Sequence, residues 1–114
     1  MPFVKLQSNV ELDETKRQDL LKQVSSLAAK QLGKPESYVM VAMEPTTPML
    51  FAGNNDPLCY VELKSISLPE TKTAEISAAL CTLIAEQINI AQDRIYIEFS
   101  DAPRAMWGWN GGTF

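Results

Sequence analysis

Histidine is absent from all 114 residues, and no other gap in the composition removes as much chemistry. A histidine triad, a histidine general base and a histidine-containing zinc site are all excluded. An enzyme built on this chain must move its protons through a rarer group. Basic runs are also lacking: none exceeds Lys16-Arg17, and the net charge is −4. Such a surface does not neutralise a phosphate backbone, so no nucleic-acid partner is expected. No apolar stretch approaches the ~18 residues that a membrane helix needs. The chain turns polar after Leu6, leaving no hydrophobic core for a secretory signal. Cysteine is scarce. Cys59 and Cys81, 22 residues apart, match neither a disulfide framework nor a metal-ligand spacing, and read as half-buried free thiols in a reducing compartment. The expectation is a cytoplasmic protein with no membrane partner.

What is present suits one globular domain spanning residues 1–114. Hydrophobic residues make up 46% and charged residues 21%, enough for a core that buries roughly two-thirds of the unfolded surface. Residues 3–7 alternate like a strand. Asp13 is placed to cap a helix in which Leu20, Leu21, Val24, Leu27, Ala28 and Leu32 recur at helical spacing. Gly33 falls at the C-terminal cap, with Lys34-Pro35 as a stop, and an apolar strand is predicted from Tyr38 to Glu44. The order then repeats at an offset of about 56 residues. A strand over 58–66 precedes a helix opened by Pro69-Glu70, with Ile76, Leu80, Leu83, Ile84 and Ile88 on one face, and Arg94 to Ser100 forms the closing strand.

Each half is a βαβ unit, which crosses over right-handed. Two such units give an α+β fold, a four-stranded mixed sheet with two helices on one face. The other face is polar. Alternation places Arg94, Tyr96 and Glu98 there in the last strand, and Tyr60, Glu62 and Lys64 in the third. That face either meets solvent or lines a wet interior between subunits; the apolar second strand, read as buried on both sides, favours an oligomer.

Pro2 follows the initial methionine. Small second residues are common because they allow that methionine to be removed. An exposed N-terminal proline is also a secondary amine. An α-amino group titrates near about 7.7–8.0 in water. Burial and a neighbouring cation lower that value by disfavouring the ammonium form, which yields a base able to take a proton next to a carbonyl.

Five segments occur in order along the chain: Met-Pro-Phe-Val-Lys-Leu at 1–6, Gly33-Lys34-Pro35…Tyr38, Lys64-Ser65-Ile66, Gln92-Asp93-Arg94-Ile95-Tyr96-Ile97, and Gly108-Trp109-Asn110-Gly111…Thr113-Phe114. Together, from Pro2 to Phe114, they resemble the macrophage migration inhibitory factor family of the tautomerase superfamily. The resemblance implies a trimer with its pocket between neighbouring subunits. It also implies a cofactor-independent isomerase, a keto–enol tautomerase for aromatic 2-keto acids of the phenylpyruvate type. Pro2 matches the catalytic proline. Lys34 matches the lysine that holds the substrate carboxylate and keeps the proline amine neutral, although a lysine at a helix end is also favoured by the helix dipole alone. Ile66 matches a residue whose backbone contacts the ligand. Tyr38, Tyr96, Trp109 and Phe114 match the aromatic wall, positions that packing alone also fills with aromatics.

Several positions depart from the family pattern. Glu98 stands where many members carry an asparagine that hydrogen-bonds the ligand. A carboxylate only accepts hydrogen bonds and repels an anionic substrate. Trp107 replaces a smaller residue, typically valine, and is expected to reshape the pocket mouth. The mammalian Cys-x-x-Cys pair corresponds to Leu58-Cys59-Tyr60-Val61, with neither cysteine in place, so a dithiol redox activity is not expected. The arginine and aspartate linked to chemokine-receptor binding in those members correspond to Leu12 and Thr46. An alternative function remains, that of a cytokine-like signalling or binding protein with a vestigial pocket. These substitutions weaken it, and unlike catalysis it does not require a free Pro2 amine.

Overall fold

The computed structural model describes residues 1–114. Strand β1 (Phe3–Ser8) buries every second residue, Val4, Leu6 and Ser8. Helix α1 (Glu14–Leu32) opens where expected, with Asp13 accepting a hydrogen bond from the Lys16 N–H at 2.8 Å, a cap worth about 1 kcal/mol. It buries Leu20, Val24 and Ala28 at four-residue spacing. Strands β2 (Met40–Glu44) and β3 (Cys59–Ile66) follow, then helix α2 (Thr73–Ile88), which buries Ile76, Leu80, Ile84 and Ile88, and strand β4 (Ile95–Ala102). A short hairpin, β5 (Gly108–Trp109) and β6 (Gly112–Thr113), ends the chain.

The sheet order is β2-β1-β3-β4. β1 pairs parallel to β2 and antiparallel to β3, and β3 pairs parallel to β4. This is the expected mixed sheet of two βαβ units. Paired residues share a face, so the register stacks Val4 with Leu63 and Leu6 with Val61 beneath the helices. Each such side chain, fully buried, contributes about 1.5–3 kcal/mol. The opposite face is polar, as the alternation predicts. Lys5 pairs with Glu44 at 3.3 Å, Lys64 with Glu62 at 3.8 Å, and the Tyr60 hydroxyl lies 3.3 Å from both Glu62 and Glu98. Burial pushes the Cys59 thiol up to about 12, with Cys81 adding to the rise. No helix is long and apolar enough to cross a membrane.

Three expectations need correction. Tyr38 lies outside the second strand. It closes a 3-10 turn, Glu36–Tyr38, in which its N–H reaches the Pro35 carbonyl at 3.1 Å, and β2 begins at Met40. β2 itself is an edge strand with Met40 66% exposed, so burial of both its faces would take a neighbouring subunit. Pro69 opens a 3-10 turn (Glu70–Lys72) before α2 starts at Thr73, because the Lys72 N–H bonds the Pro69 carbonyl three residues back. Arg94 precedes β4 in another such turn. Its guanidinium donates to the carbonyls of Phe51, Asn54, Asp56 and Pro57 at 3.1–3.3 Å and sits 5.2 Å from the Phe51 ring centre. Arg94 therefore ties down the 51–57 loop and takes no part in the open sheet face.

Candidate active site

The site gathers where β1 begins and β3 and β4 end. Pro2 is buried, and its carbonyl accepts from the Met40 N–H at 3.0 Å, anchoring the chain start to β2. Continuing the antiparallel register one step past Phe3–Lys64 sets residue 2 opposite Ser65. Both are buried.

Lys34 is delivered to the same place by the end of α1. Gly33 takes the left-handed conformation (φ 63°), its N–H reaching the Lys30 carbonyl while the Lys34 N–H reaches that of Ala29 at 3.0 Å. This double closure ends the helix and fixes where the Lys34 side chain departs. The ammonium donates to the Ser65 hydroxyl at 2.8 Å and to the Ile66 carbonyl. Burial lowers the Lys34 pKa. Asp101 opposes that shift and the Arg104 guanidinium reinforces it. The terminal amine, carried by Met1 in this chain, is likewise lowered, first by burial and then by the Lys34 charge. The N-terminus and the Lys34 ammonium therefore lie within electrostatic reach of each other.

Three aromatics form a wall. The Trp109 and Phe114 rings stack with centres 5.5 Å apart, and Tyr38 meets both edge-on at 5.5 and 6.1 Å. Tyr38 is two residues before Met40, the partner of Pro2. The terminal hairpin carries the other two rings, its Asn110-Gly111 turn having positive φ at both positions (51° and 81°), the geometry of a type I′ turn. Trp107 enters through its backbone, its carbonyl accepting from the Phe114 N–H at 3.2 Å. Its ring is outside the three-ring cluster.

The structure thus brings together Pro2, Lys34 and Ile66, with Tyr38, Trp109 and Phe114 on adjoining segments. Tyr96 and Glu98 are elsewhere. Tyr96 pairs with Tyr60 at the far end of β4, five residues before Asp101, the register partner of Ser65. At about 3.3 Å per residue, roughly 16 Å of strand separates them. Tyr96 is 65% exposed, packs against Phe51 with ring centres 4.6 Å apart, and lines an apolar cleft of about 360 Å³ with Met49, Leu50 and Leu58. Glu98 projects from the polar face beside Tyr60. Sequence reasoning passed over Ser65, Asp101 and Arg104. Ser65 alone left a signal, a small polar residue at an inward position in an alternating apolar strand.

Two βαβ units on one mixed sheet, with a lysine held beside the chain start, define a protein of the tautomerase superfamily. A family model described as macrophage migration inhibitory factor matches residues 1–114. The chain is 36% identical to the macrophage migration inhibitory factor homolog of Brugia malayi and 35% identical to the factor of Meriones unguiculatus, in each case over 100% of this chain and 99% of the relative. Among solved structures, the macrophage migration inhibitory factor homologue of Prochlorococcus marinus superposes with a TM-score of 0.92 at 44% identity, covering 98% of both chains. That of Trichinella spiralis gives 0.91 at 30% identity, over 98% of this chain and 99% of its own. This chain belongs to the macrophage migration inhibitory factor family, which combines tautomerase activity with cytokine roles, and its homologues support an isomerase-like enzyme.

Proposed function

We propose that this protein is a cofactor-independent keto–enol tautomerase of phenylpyruvate-type 2-keto acids, with the Pro2 amine as general base once Met1 is removed. The carrying observation is the Lys34 ammonium, held by Ser65 and Ile66 beside a buried second residue. Burial and the Lys34 charge already lower the amine at the chain start. The same influences would act on a Pro2 amine and favour its neutral, basic form. Lys34 pairs with the substrate carboxylate, and Tyr38, Trp109 and Phe114 receive the aromatic ring. Pro2 takes a proton from the carbon next to the keto group, and the protonated proline then returns it to the enolate oxygen, giving the enol and the free amine. Reversal of the same transfers regenerates the ketone, so no electrons change hands and no cofactor is required.

The roughly 16 Å of strand between Tyr96 and Ser65 means that one chain does not assemble the full residue set. A closed homotrimer resolves this, with Tyr96 and Glu98 of one subunit brought to the Pro2 of the next. Free Cys59 and Cys81 suit a reducing, cytoplasmic setting. The test is a phenylpyruvate assay on two samples of verified intact mass, one bearing Met1 and one beginning at Pro2. Retained Met1 makes the proline nitrogen an amide, whose lone pair is delocalised. The blocked sample is expected to be slower by at least about 10²-fold while keeping its fold. Equal rates in the two samples would exclude the proline mechanism and leave the signalling reading ahead.

A further inference from the structure

We infer that Ser65 is a positioning residue of the site: its buried hydroxyl and the Ile66 carbonyl occupy two of the three Lys34 N–H donors and aim the third at the substrate carboxylate. This rests on the tautomerase reading above. An ammonium has three donors and a long, flexible stem, so a lysine meant to bind an anion in one geometry must be held. Lys34 Nζ donates to Ser65 Oγ at 2.8 Å and to the Ile66 oxygen, and no further protein acceptor is within reach. Ser65 completes the arrangement by donating its own proton to the Ile66 carbonyl at 3.1 Å, so the hydroxyl cannot rotate without losing a bond.

The fold gives Ser65 no solvent-facing role. It is fully buried, four residues beyond Val61 on the inward face of β3, where an aliphatic side chain would serve packing better. Its register partner on β4 is Asp101, whose carboxylate accepts from the Leu68 N–H at 3.0 Å and holds the chain as it leaves β3. The charged groups acting on Lys34 are Asp101, Arg104 in the turn after β4, and the terminal amine. Only Ser65 and Ile66 bond its nitrogen directly. Moving the ammonium away from residue 2 also weakens its effect on the amine there, so Ser65 sets the working pH of the base as well as carboxylate affinity.

The experiment compares Ser65→Ala, Ser65→Cys, Lys34→Ala and the double variant Lys34→Ala/Ser65→Ala, each processed to Pro2, together with the Met1-bearing wild type. Ser65→Cys keeps nearly the original volume while replacing a good acceptor with a poor one, and melting curves report whether each variant folds. Both Ser65 variants are expected to raise KM for phenylpyruvate roughly tenfold, the scale of a hydrogen bond to a charged group. KM for the methyl ester should change less, and the ascending limb of the pH–rate profile should move upward. Ser65→Ala should add nothing in the Lys34→Ala background. Wild-type KM and pH profile in folded Ser65 variants, or effects that add fully to Lys34→Ala, overturn the inference while leaving the Pro2 mechanism standing. If the Met1-bearing wild type matches the processed enzyme, the Pro2 mechanism fails and this inference fails with it.

Discussion

Replacing Lys34 with alanine separates substrate binding from proton transfer, and the structure bounds the size of each effect. Loss of the ammonium removes a charge-assisted hydrogen bond to the substrate carboxylate, worth about 1.5–3 kcal/mol, or roughly tenfold to 150-fold in kcat/KM. The fold should lose little. The Ser65 hydroxyl still donates to the Ile66 carbonyl at 3.1 Å, so neither is left without a partner, and the helix end is held by backbone bonds from Gly33 and Lys34 that alanine retains. A second effect accompanies the first. With the neighbouring cation gone, one cause of the lowered terminal-amine pKa disappears, and the ascending limb of the pH–rate profile moves toward the ordinary α-amino range. Steady-state assays with phenylpyruvate and its methyl ester, run across pH, read both effects. The acid should suffer at least tenfold more than the ester. Equal losses on the two substrates would refute the carboxylate role of Lys34.

Other perturbations probe the frame and the assembly. Gly33→Ala places a Cβ in open space but at φ 63°, so it should cost about 1–2 kcal/mol by conformation alone, seen as a Tm several degrees lower, with Gly33→Asn losing less. Glu98→Gln removes a like charge, and at about 8 Å through water such a repulsion is worth about 0.5 kcal/mol. Turnover of phenylpyruvate should therefore improve at least about twofold, and unchanged kinetics would place Glu98 away from the ligand. Light scattering at micromolar concentration should give a mass near three times 12.7 kDa; a monomer would leave Tyr96 and Glu98 outside the site.

The helices were legible because their signals are local. Asp13 and Gly33 cap α1 as read, and Leu20, Val24 and Ala28 recur every four residues on the buried face. The alternating strands were legible for the same reason, down to the polar face bearing Glu62 and Glu98. Misreadings arose where a long-range bond or a proline turn overrode the pattern. Tyr38 continues an apolar run, yet its N–H is taken by Pro35. Arg94 continues a charged alternation, yet its guanidinium serves carbonyls about 40 residues away in sequence. The Lys34–Ser65 bond spans 31 residues, so the inward polar position of Ser65 marks it as unusual without naming its partner. The chain brings Pro2, Lys34 and Ile66 together, as the resemblance implies. Tyr96 and Glu98 project from the opposite sheet face earlier in β4, and the pocket between subunits that the resemblance implies calls for a neighbouring chain there.

The central claim is that the Pro2 nitrogen is the catalytic base, and the most direct measurement titrates that atom. In processed protein labelled with ¹⁵N-proline, Pro2 carries the only ionisable nitrogen among the seven prolines, so its shift against pH reports one group. Its midpoint should lie below the ordinary α-amino value of about 7.7–8.0, because the burial and Lys34 charge that lower the Met1 amine would act equally on a Pro2 amine in its place. The base acts when neutral, so activity should rise with pH through that same midpoint. It should fall again as Lys34 loses its proton, below the usual lysine range. Agreement between the NMR midpoint and the ascending kinetic limb is the predicted result; a Pro2 nitrogen that titrates in the ordinary range, or a kinetic limb that does not follow it, would contradict the account.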